Sequence, residues 1–278
     1  MLEAIKIGTI RKEKLLLPIM AQDKFSAVWV SHSSISDYLH CPRAYFLNHV
    51  YRDKETGHKI QLMAPALALG QAVHEVLESL SMLPTAERFS QRLSERFEKA
   101  WNKVSGEKGG FFDLDSENYY KERGKAMLRQ VEQNPGPLLN LAVKIPHDLP
   151  HYWLSSEDNI ILCGKIDWLE YLPKKEAVHI IDFKTGRQQD AQDSLQLPIY
   201  YLLVSNLQKR SVDGASYWYL ESDLGLQAQE LPDLKAAETK ILEVAKKIKT
   251  ARKLDHFPCP EGKTGCRYCR PLEKIVHG

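Results

Sequence analysis

An aspartate and a lysine two residues apart carry the strongest chemical signal in the sequence. Asp182 and Lys184 lie in the segment I-I-D-F-K-T-G, where apolar β-branched residues favour a strand. Side chains two residues apart on a strand point to the same face. Asp167 lies upstream in G-K-I-D, on the preceding predicted strand, where it can approach Asp182.

Two carboxylates and one ammonium at a single point suit the hydrolysis of a phosphate ester. Carboxylates held together repel each other and invite a divalent cation, and Mg²⁺ and Mn²⁺ prefer oxygen ligands. Such an ion lowers the pKa of a bound water and neutralises charge on a phosphate, while the lysine stabilises further charge. The plainer alternative is an ordinary ion pair at a surface turn, because a lone D-x-K is common.

Four of the five cysteines form a second chemical group. Cys266 and Cys269 make a C-x2-C pair, Cys259 lies just before it, and Cys41 lies far upstream. A C-x2-C pair with distant partners is typical of metal or cluster ligation. Thiolate softness alone does not separate an iron–sulfur cluster from Zn²⁺. Cys163 is predicted to be a small core residue.

Length and charge suit one large domain in a reducing compartment. The chain has 278 residues, 43% of them hydrophobic, and a net charge of +2. Residues 234–278 hold eleven Lys/Arg and five Asp/Glu, an excess that either faces a nucleic-acid backbone or is a solvated surface. The sequence contains no apolar run of about 18 residues and no secretory signal, so a cytoplasmic location is expected.

Apolar periodicity places these residues on a mixed α/β framework. Helices are predicted over about 34–50, 65–82, 85–104, 116–133, 193–206 and 234–254. Strands are predicted over 151–154, 160–171, 177–183, 214–220 and 225–230, and residues 1–30 hold at most a strand or a hairpin. This order predicts a mixed sheet preceded by a helical insertion over about 83–140.

The ordered set of motifs resembles RecB-like PD-(D/E)XK exonucleases. The two acidic segments are accompanied by a helix with Cys-Pro-Arg at 41–43, a G-x-x-x-H motif at 70–74 and a Q-x-x-x-Y motif at 196–200. The resemblance spans roughly residues 33–270 and includes the AddB nuclease domain and the cluster-bearing exonucleases of CRISPR adaptation. It implies a restriction-endonuclease-like fold with a mixed central sheet, in a single nuclease domain over residues 1–278.

The resemblance also implies the metal-binding and catalytic residues. His74 would join Asp167, Asp182 and the Phe183 carbonyl as ligands of Mg²⁺ or Mn²⁺, with Lys184 as the catalytic lysine. Taken alone, His74 would be interpreted as a packed histidine on an amphipathic helix.

Substrate contacts are expected from further residues. Gln196 and Tyr200 lie at i and i+4 of a helix, so they share a face. The resemblance implies that this face contacts the substrate strand. Arg43 either grips a phosphate or is solvated, and part of the aromatic run 217–219 could stack on bases. Glu78 either orients His74 or is an exposed glutamate.

For the cysteines, the resemblance implies a [4Fe–4S] cluster that joins the two ends of the domain. One early and three late thiolates would hold it: Cys41, Cys259, Cys266 and Cys269. The family's third late cysteine usually follows the C-x2-C pair, whereas here Ile275 takes that position and Cys259 precedes the pair. Zn²⁺ in a four-cysteine site is the alternative.

These features predict a Mg²⁺- or Mn²⁺-dependent DNA nuclease that acts on single strands or DNA ends. Protein partners of a repair or CRISPR-adaptation complex are compatible with this prediction. One alternative is an iron–sulfur DNA-binding or assembly subunit with secondary activity. Another is an RNA-directed nuclease, because this fold does not determine which sugar is bound.

Overall fold

The computed structural model describes residues 23–60, 62–145, 149–186, 194–222 and 225–277. The strands are β1 (Val28–Val30), β2 (His151–Ser155), β3 (Ile160–Cys163), β4 (Trp168–Leu172), β5 (Ala177–Lys184), β6 (Ser211–Tyr219) and β7 (Leu226–Gln229). The helices are α1 (His32–His40), α2 (Pro42–Tyr45), α3 (Pro65–Ser79), α4 (Leu93–Trp101), α5 (Leu114–Gln133), α6 (Gln196–Leu207), α7 (Leu234–Leu254) and α8 (Arg270–His277). The mixed α/β architecture expected from the sequence is confirmed. None of the helices in these ranges has the length and apolar character needed to cross a bilayer.

The strands are divided between two small sheets. The first has the order β1-β3-β2, with β1 parallel and β2 antiparallel to β3. The second has the order β4-β5-β6-β7, with a parallel β5–β6 pair between two antiparallel pairs. A parallel pair requires a crossover connection, and α6 lies in the connection between β5 and β6. The inner strand β5 is accordingly buried along most of its length.

Different helices cover the two faces of the second sheet. On one face, Val178 and Ile180 of β5 belong to an apolar core shared with α6, α7 and the first sheet. On the other face, Ile181 and Phe183 pack with α3, α4 and α5. Because successive residues of a strand point to opposite faces, residues 182 and 184 share the face that α6 covers.

The continuous strand predicted over 160–171 is wrong. The chain leaves the first sheet after Cys163 and enters the second sheet at Trp168. Gly164 begins this passage close to α6, where a Cβ would lie only 2.9 Å from Leu203 Cδ1. Asp167 therefore lies at the end of a connection, immediately before β4, and not within a strand.

The helix predicted over 85–104 is also wrong in its first part, because α4 begins at Leu93. The preceding residues surround the side chain of Arg88, which is only 3% exposed. Its guanidinium donates to three backbone carbonyls, those of Leu80 (3.0 Å), Leu138 (2.6 Å) and Asn140 (2.6 Å). It also lies 5.0 Å from the centroid of the Trp168 ring. A buried guanidinium requires such acceptors, so this contact shapes the chain here more than helical periodicity does.

The first predicted helix, over 34–50, begins earlier and is interrupted. Ser31 is its N-cap: the Ser31 hydroxyl accepts from the Ser34 N–H at 3.3 Å, and the Ser34 hydroxyl accepts from the Ser31 N–H at 2.8 Å. α1 ends at His40, and Pro42, which has no N–H to donate, begins α2. Residues 46–50 then form a π-helical turn.

The remaining predicted elements lie within a few residues of the observed ones. β1 accounts for the strand expected within residues 1–30, but residues 1–22 lie outside the described part of the chain. Residue 193, expected in α6, and residues 223 and 224, expected in the last turn, also lie outside it. The C-terminal helix α8 is an element that the sequence did not predict.

Gly124 lies at a close contact between α4 and α5 and gives a test of this packing. A Cβ at Gly124 of α5 would lie 2.4 Å from Cζ of Phe97, a fully buried residue of α4. We expect Gly124→Ala to lower the free energy of unfolding by about 1–3 kcal/mol through overpacking, although alanine is the better helix former. Denaturant titration followed by circular dichroism measures this. The exposed Asn118→Ala on the same helix is the control and should change stability by less than about 0.5 kcal/mol. A Gly124→Ala protein as stable as wild type would contradict the close helix contact.

Candidate active site

Asp167 and Asp182 lie side by side on neighbouring strands. β4 and β5 are antiparallel with Trp168 opposite Ile181, so extending the register by one residue sets Asp167 opposite Asp182. Asp167 Oδ2 accepts a hydrogen bond from the backbone N–H of Phe183 at 2.9 Å, which fixes this carboxylate against β5. Both residues are buried, Asp167 at 9% and Asp182 at 3% exposure.

α3 brings His74 to the two aspartates from the other side. His74 Nδ1 lies 3.2 Å from Oδ1 of Asp167. Burial lowers the pKa of His74, but the hydrogen bond and charge of Asp167, with the charge of Asp182, more than offset it, so the pKa is raised. One turn earlier, a Cβ at Gly70 would meet Thr185 Oγ1 at 3.3 Å, so this part of α3 must pass close to the end of β5.

Glu78 also belongs to this group, so the alternative of an exposed glutamate is wrong. It lies four residues after His74 on α3, and its side chain is only 17% exposed. Its carboxylate pairs with Lys165 from the G-K-I-D segment. Burial raises the pKa of Glu78, the charge and hydrogen bond of Lys165 opposing this in part. The i, i+4 spacing from His74 is the signal that had indicated Glu78 as a possible neighbour of the histidine, because such residues share one helix face.

Lys184 and Gln196 complete a hydrogen-bonded network around Asp182. Lys184 Nζ lies 2.7 Å from Asp182 Oδ2 and 2.5 Å from Oε1 of Gln196. The Gln196 amide in turn donates to Asp182 Oδ1 at 2.9 Å and to the Tyr200 hydroxyl at 3.2 Å. Gln196 therefore orients the acidic and basic groups of the site, a role that the Q-x-x-x-Y spacing alone did not indicate.

The electrostatics of Asp182 favour a cation nearby. Burial, and then repulsion by the neighbouring Asp167 carboxylate, raise the pKa of Asp182 to about 7, even though Lys184 stabilises its anion. Burial, and then the charges of the same carboxylates, raise the pKa of the Tyr200 hydroxyl well above its usual range, so this hydroxyl stays neutral. A divalent cation would relieve the repulsion that these buried carboxylates experience.

The donor atoms present fit such a cation. His74, Glu78 and Asp167 each offer a ligand atom, and these atoms lie within 4.8 Å of one another. The 3.2 Å between His74 Nδ1 and Asp167 Oδ1 is close to the ~3 Å between adjacent ligands of an octahedral ion with bonds of about 2.1 Å. Carboxylate donors suit Mg²⁺ or Mn²⁺. Ligation by the Phe183 carbonyl stays a prediction.

A groove of about 700 Å³ opens onto the same residues. His74 and Asp167 lie at its wall, and Lys144 and Lys165 line it further along. His74, Glu78 and Asp167 are therefore reachable from solvent although they are mostly buried.

Most of the chain matches a known protein family. A model of the PD-(D/E)XK nuclease superfamily matches residues 29–271. The chain belongs to the PD-(D/E)XK nuclease superfamily. This confirms the family resemblance inferred from the motifs, and nucleases of this superfamily use divalent metal ions.

Curated relatives of this PD-(D/E)XK protein are much longer. They include an ATP-dependent helicase/deoxyribonuclease subunit of Streptococcus pneumoniae strain ATCC 700669 and the exonuclease/helicase subunit RexB of strain TIGR4. Each is 23% identical over 258 residues, which is 87% of this chain and 22% of the relative. The chain thus spans about a fifth of the length of these relatives.

The four cysteines expected to bind a metal centre are brought together from opposite ends of the sequence. Cys41 precedes α2, and Cys259, Cys266 and Cys269 precede α8; all four are buried, with sulfurs within 4.8 Å of one another. Cys163 lies elsewhere, buried in β3. The Cys266 N–H also donates to the Cys269 sulfur at 3.2 Å. This donor set fits a thiolate-bound metal.

The sulfur spacing is informative about the metal. Cys269 Sγ lies 3.9 Å from Cys266 Sγ and 3.8 Å from Cys259 Sγ. Four sulfurs at about 2.3 Å from one tetrahedral zinc ion would be about 3.8 Å apart. In a four-iron cluster each thiolate binds a different iron, so the sulfurs would have to move apart. The observed spacing is therefore closer to the zinc alternative.

Arg43 and the aromatic residues 217–219 have protein neighbours that limit the substrate contacts expected of them. Arg43 donates to Glu273 at 3.0 Å and to the carbonyls of Lys263 and Gly262 at 3.3 Å each, so it holds the loop that carries the late cysteines. Trp218 belongs to the α3–α5 core. Tyr217, on the other face, is 8% exposed, and its ring lies beneath the Lys184 ammonium.

The buried charge of Asp182 gives a test in metal-free protein. The folded-state pKa of Asp182, about 7, lies above the unfolded value of 3.8. The free energy of unfolding therefore keeps its full value with respect to this group below pH 4 and falls as the pH rises through 7. With chelator at pH 8, Asp182→Asn should therefore raise Tm, by about 2–4 °C for each kcal/mol gained. Scanning calorimetry measures this. The control is Asp213→Asn, an exposed aspartate paired with Lys175, which should not raise Tm. A fall in Tm for Asp182→Asn would contradict the prediction that the buried Asp182 charge destabilises the metal-free protein.

The cysteine group predicts stoichiometric metal. We expect a stoichiometric thiolate-bound metal in the wild-type chain, with one zinc ion as the content that the sulfur spacing favours, and loss of the metal with a lowered Tm in Cys269→Ser. Elemental analysis and the absorption spectrum of anaerobically purified protein measure both. Cys163→Ser is the matched control, since this buried thiol lies outside the group and should leave the metal content unchanged. Four irons with absorption near ~400 nm would show instead that the sulfurs separate to hold a [4Fe–4S] cluster.

Proposed function

We propose that this chain is a metal-dependent deoxyribonuclease that hydrolyses phosphodiester bonds of single-stranded DNA or of DNA ends. The observation that carries the proposal is the meeting of two groups at the start of β4 and the end of β5: His74 with Asp167, and Asp182 with Lys184 and Gln196. An acidic pair with an imidazole and an ammonium, beside an open groove, matches what phosphodiester hydrolysis requires.

Each residue has a physical task in this reaction. His74 and Asp167 would hold Mg²⁺ or Mn²⁺, with Glu78 within reach of the same ion. Asp182 and the Phe183 carbonyl are the further ligands that we propose. When bound, the ion activates a water and neutralises phosphate charge. Lys184 supplies a fixed positive charge for the phosphate oxygens, in a site where burial strengthens electrostatic interactions.

Gln196 and Tyr200 hold these groups in position. The Gln196 amide accepts from Lys184 and donates to Asp182, so it keeps the ammonium and the carboxylate at a set separation. Tyr200 accepts from the same amide, which fixes its rotamer. Their contact with the substrate strand is part of the proposal, as is a phosphate contact of Arg43 in competition with Glu273.

The choice of DNA rests on the relatives. The names of the streptococcal relatives describe deoxyribonuclease or exonuclease subunits that work with a helicase. We propose that this chain acts as one nuclease domain, with the helical insertion over 83–140, in a comparable repair assembly. The same names give no support to a CRISPR-adaptation role.

The metal-thiolate centre would act as a clip in this domain. Cys41 joins the first helices to the C-terminal loop, and a thiolate-bound metal resists separation of distant chain segments. Zinc fits the observed sulfur spacing, and [4Fe–4S] is the proposal carried by the family resemblance. In neither case does the centre take part in the hydrolysis.

Labelled single-stranded DNA, duplex DNA and RNA of one sequence, incubated with Mn²⁺, Mg²⁺ or chelator, test the proposal. We expect cleavage of DNA with either ion and none with chelator. Asp182→Asn should reduce the rate to that of chelator-treated wild type, and Lys184→Met should reduce it by about 10²–10³-fold. Asp213→Asn, an exposed position on β6, is the matched control and should keep wild-type activity.

Other outcomes would redirect the interpretation. Faster cleavage of RNA than of DNA would favour an RNA-directed nuclease. DNA binding with equal, metal-independent background in wild type and Asp182→Asn would favour a DNA-binding or assembly subunit and would overturn the enzyme proposal.

A further inference from the structure

We propose that Tyr217 is a positioning residue that holds the Lys184 ammonium through a cation–π contact. The proposal rests on the nuclease function proposed above and extends it to a residue outside the matched motifs. Lys184 Nζ lies 4.7 Å from the centroid of the Tyr217 ring, within the range of an attractive cation–π contact.

The register of the second sheet produces this contact. β5 and β6 are parallel, with Asp182 paired to Tyr217 and Lys184 paired to Tyr219. Tyr217 therefore lies beside Asp182 on the sheet face that also carries Lys184. The lysine side chain reaches back along the strand towards Asp182, which brings its ammonium over the ring. Trp218, between the two tyrosines, points to the opposite core, so it cannot take this position.

The surroundings of the ammonium explain why a ring is useful there. Its polar neighbours include Asp182 Oδ2 at 2.7 Å and Gln196 Oε1 at 2.5 Å. The lysine side chain is only 14% exposed, and the tyrosine only 8%. A lysine has a flexible four-carbon stem whose rotamers must be restricted if its ammonium is to stay in one place. The ring contact at the tip restricts those rotamers further.

The Tyr217 ring would still attract the Lys184 ammonium when the Asp182 carboxylate binds a metal ion. A divalent cation bound by Asp182 would draw on the oxygens that now attract the ammonium, and its charge would repel the ammonium. Hard cations prefer oxygen ligands, so an aromatic face does not compete for them. Tyr217 therefore offers a partner for Lys184 that metal binding does not remove.

Steady-state cleavage by Tyr217→Leu and Tyr217→Phe tests the role of the ring. We expect Tyr217→Leu to lower kcat by about tenfold, equivalent to about 1.4 kcal/mol of transition-state stabilisation, with little change in KM. Tyr217→Phe keeps the ring and should retain most of kcat. The matched control is Tyr171→Leu, which removes a ring lying 4.6 Å from the Arg210 guanidinium at the far end of β4 and should leave kcat unchanged.

A second measurement needs no metal and no substrate. In chelator-treated protein, limited acetylation followed by peptide mass spectrometry reports how accessible the Lys184 amine is. We expect Lys184 to react several-fold faster in Tyr217→Leu than in wild type or Tyr217→Phe, while other lysines react equally in all three. Circular dichroism confirms that the variants share one fold.

The two measurements separate failure of this inference from failure of the proposed function. A wild-type protein without nuclease activity would remove the proposed function but leave the acetylation test intact. Equal kcat in wild type and Tyr217→Leu, equal losses in the phenylalanine and leucine variants, or unchanged Lys184 reactivity would each overturn the role of the ring.

Discussion

The mutual repulsion of Asp167 and Asp182 is the constraint around which the rest of the site is arranged. Both carboxylates are buried and adjacent across β4 and β5, so their charges need compensation. The protein meets this need with His74 from α3 and Lys184 from β5. Each partner comes from a different part of the chain, so the site exists only when α3, the second sheet and α6 have all assembled. The core packing of these elements is thus a condition for the chemistry.

The sequence predicted the chemical groups better than their surroundings. Asp182 and Lys184 follow from alternation on a strand, and family motifs supplied His74 and Gln196. The sequence could not show that Gln196 bridges Asp182 and Lys184, because that contact depends on how α6 crosses the sheet. Glu78 was open to prediction from its i, i+4 spacing, yet a lone glutamate on a helix is usually exposed. The proximity of Tyr217 to Lys184 depends on a parallel register that local patterns do not encode.

Errors in the predicted elements have similar causes. The apolar run over 160–171 matches one strand by composition, but its two halves belong to different sheets. The helical pattern over 85–104 is interrupted because Arg88 finds its acceptors in distant parts of the chain. In both cases a tertiary contact overrides the local preference. Such contacts lie beyond the range over which periodicity is informative.

Arg88 has a further consequence for the design of smaller nucleases from this scaffold. Its guanidinium joins the end of α3 and the 138–140 segment to the ring of Trp168, the residue that follows Asp167. Because residues 83–140 include Arg88, Leu138 and Asn140, trimming this segment would remove the cation together with two of its acceptors and would uncover the ring of Trp168. A shortened protein would therefore have to place an apolar side chain against Trp168 before the neighbouring Asp167 could keep its place.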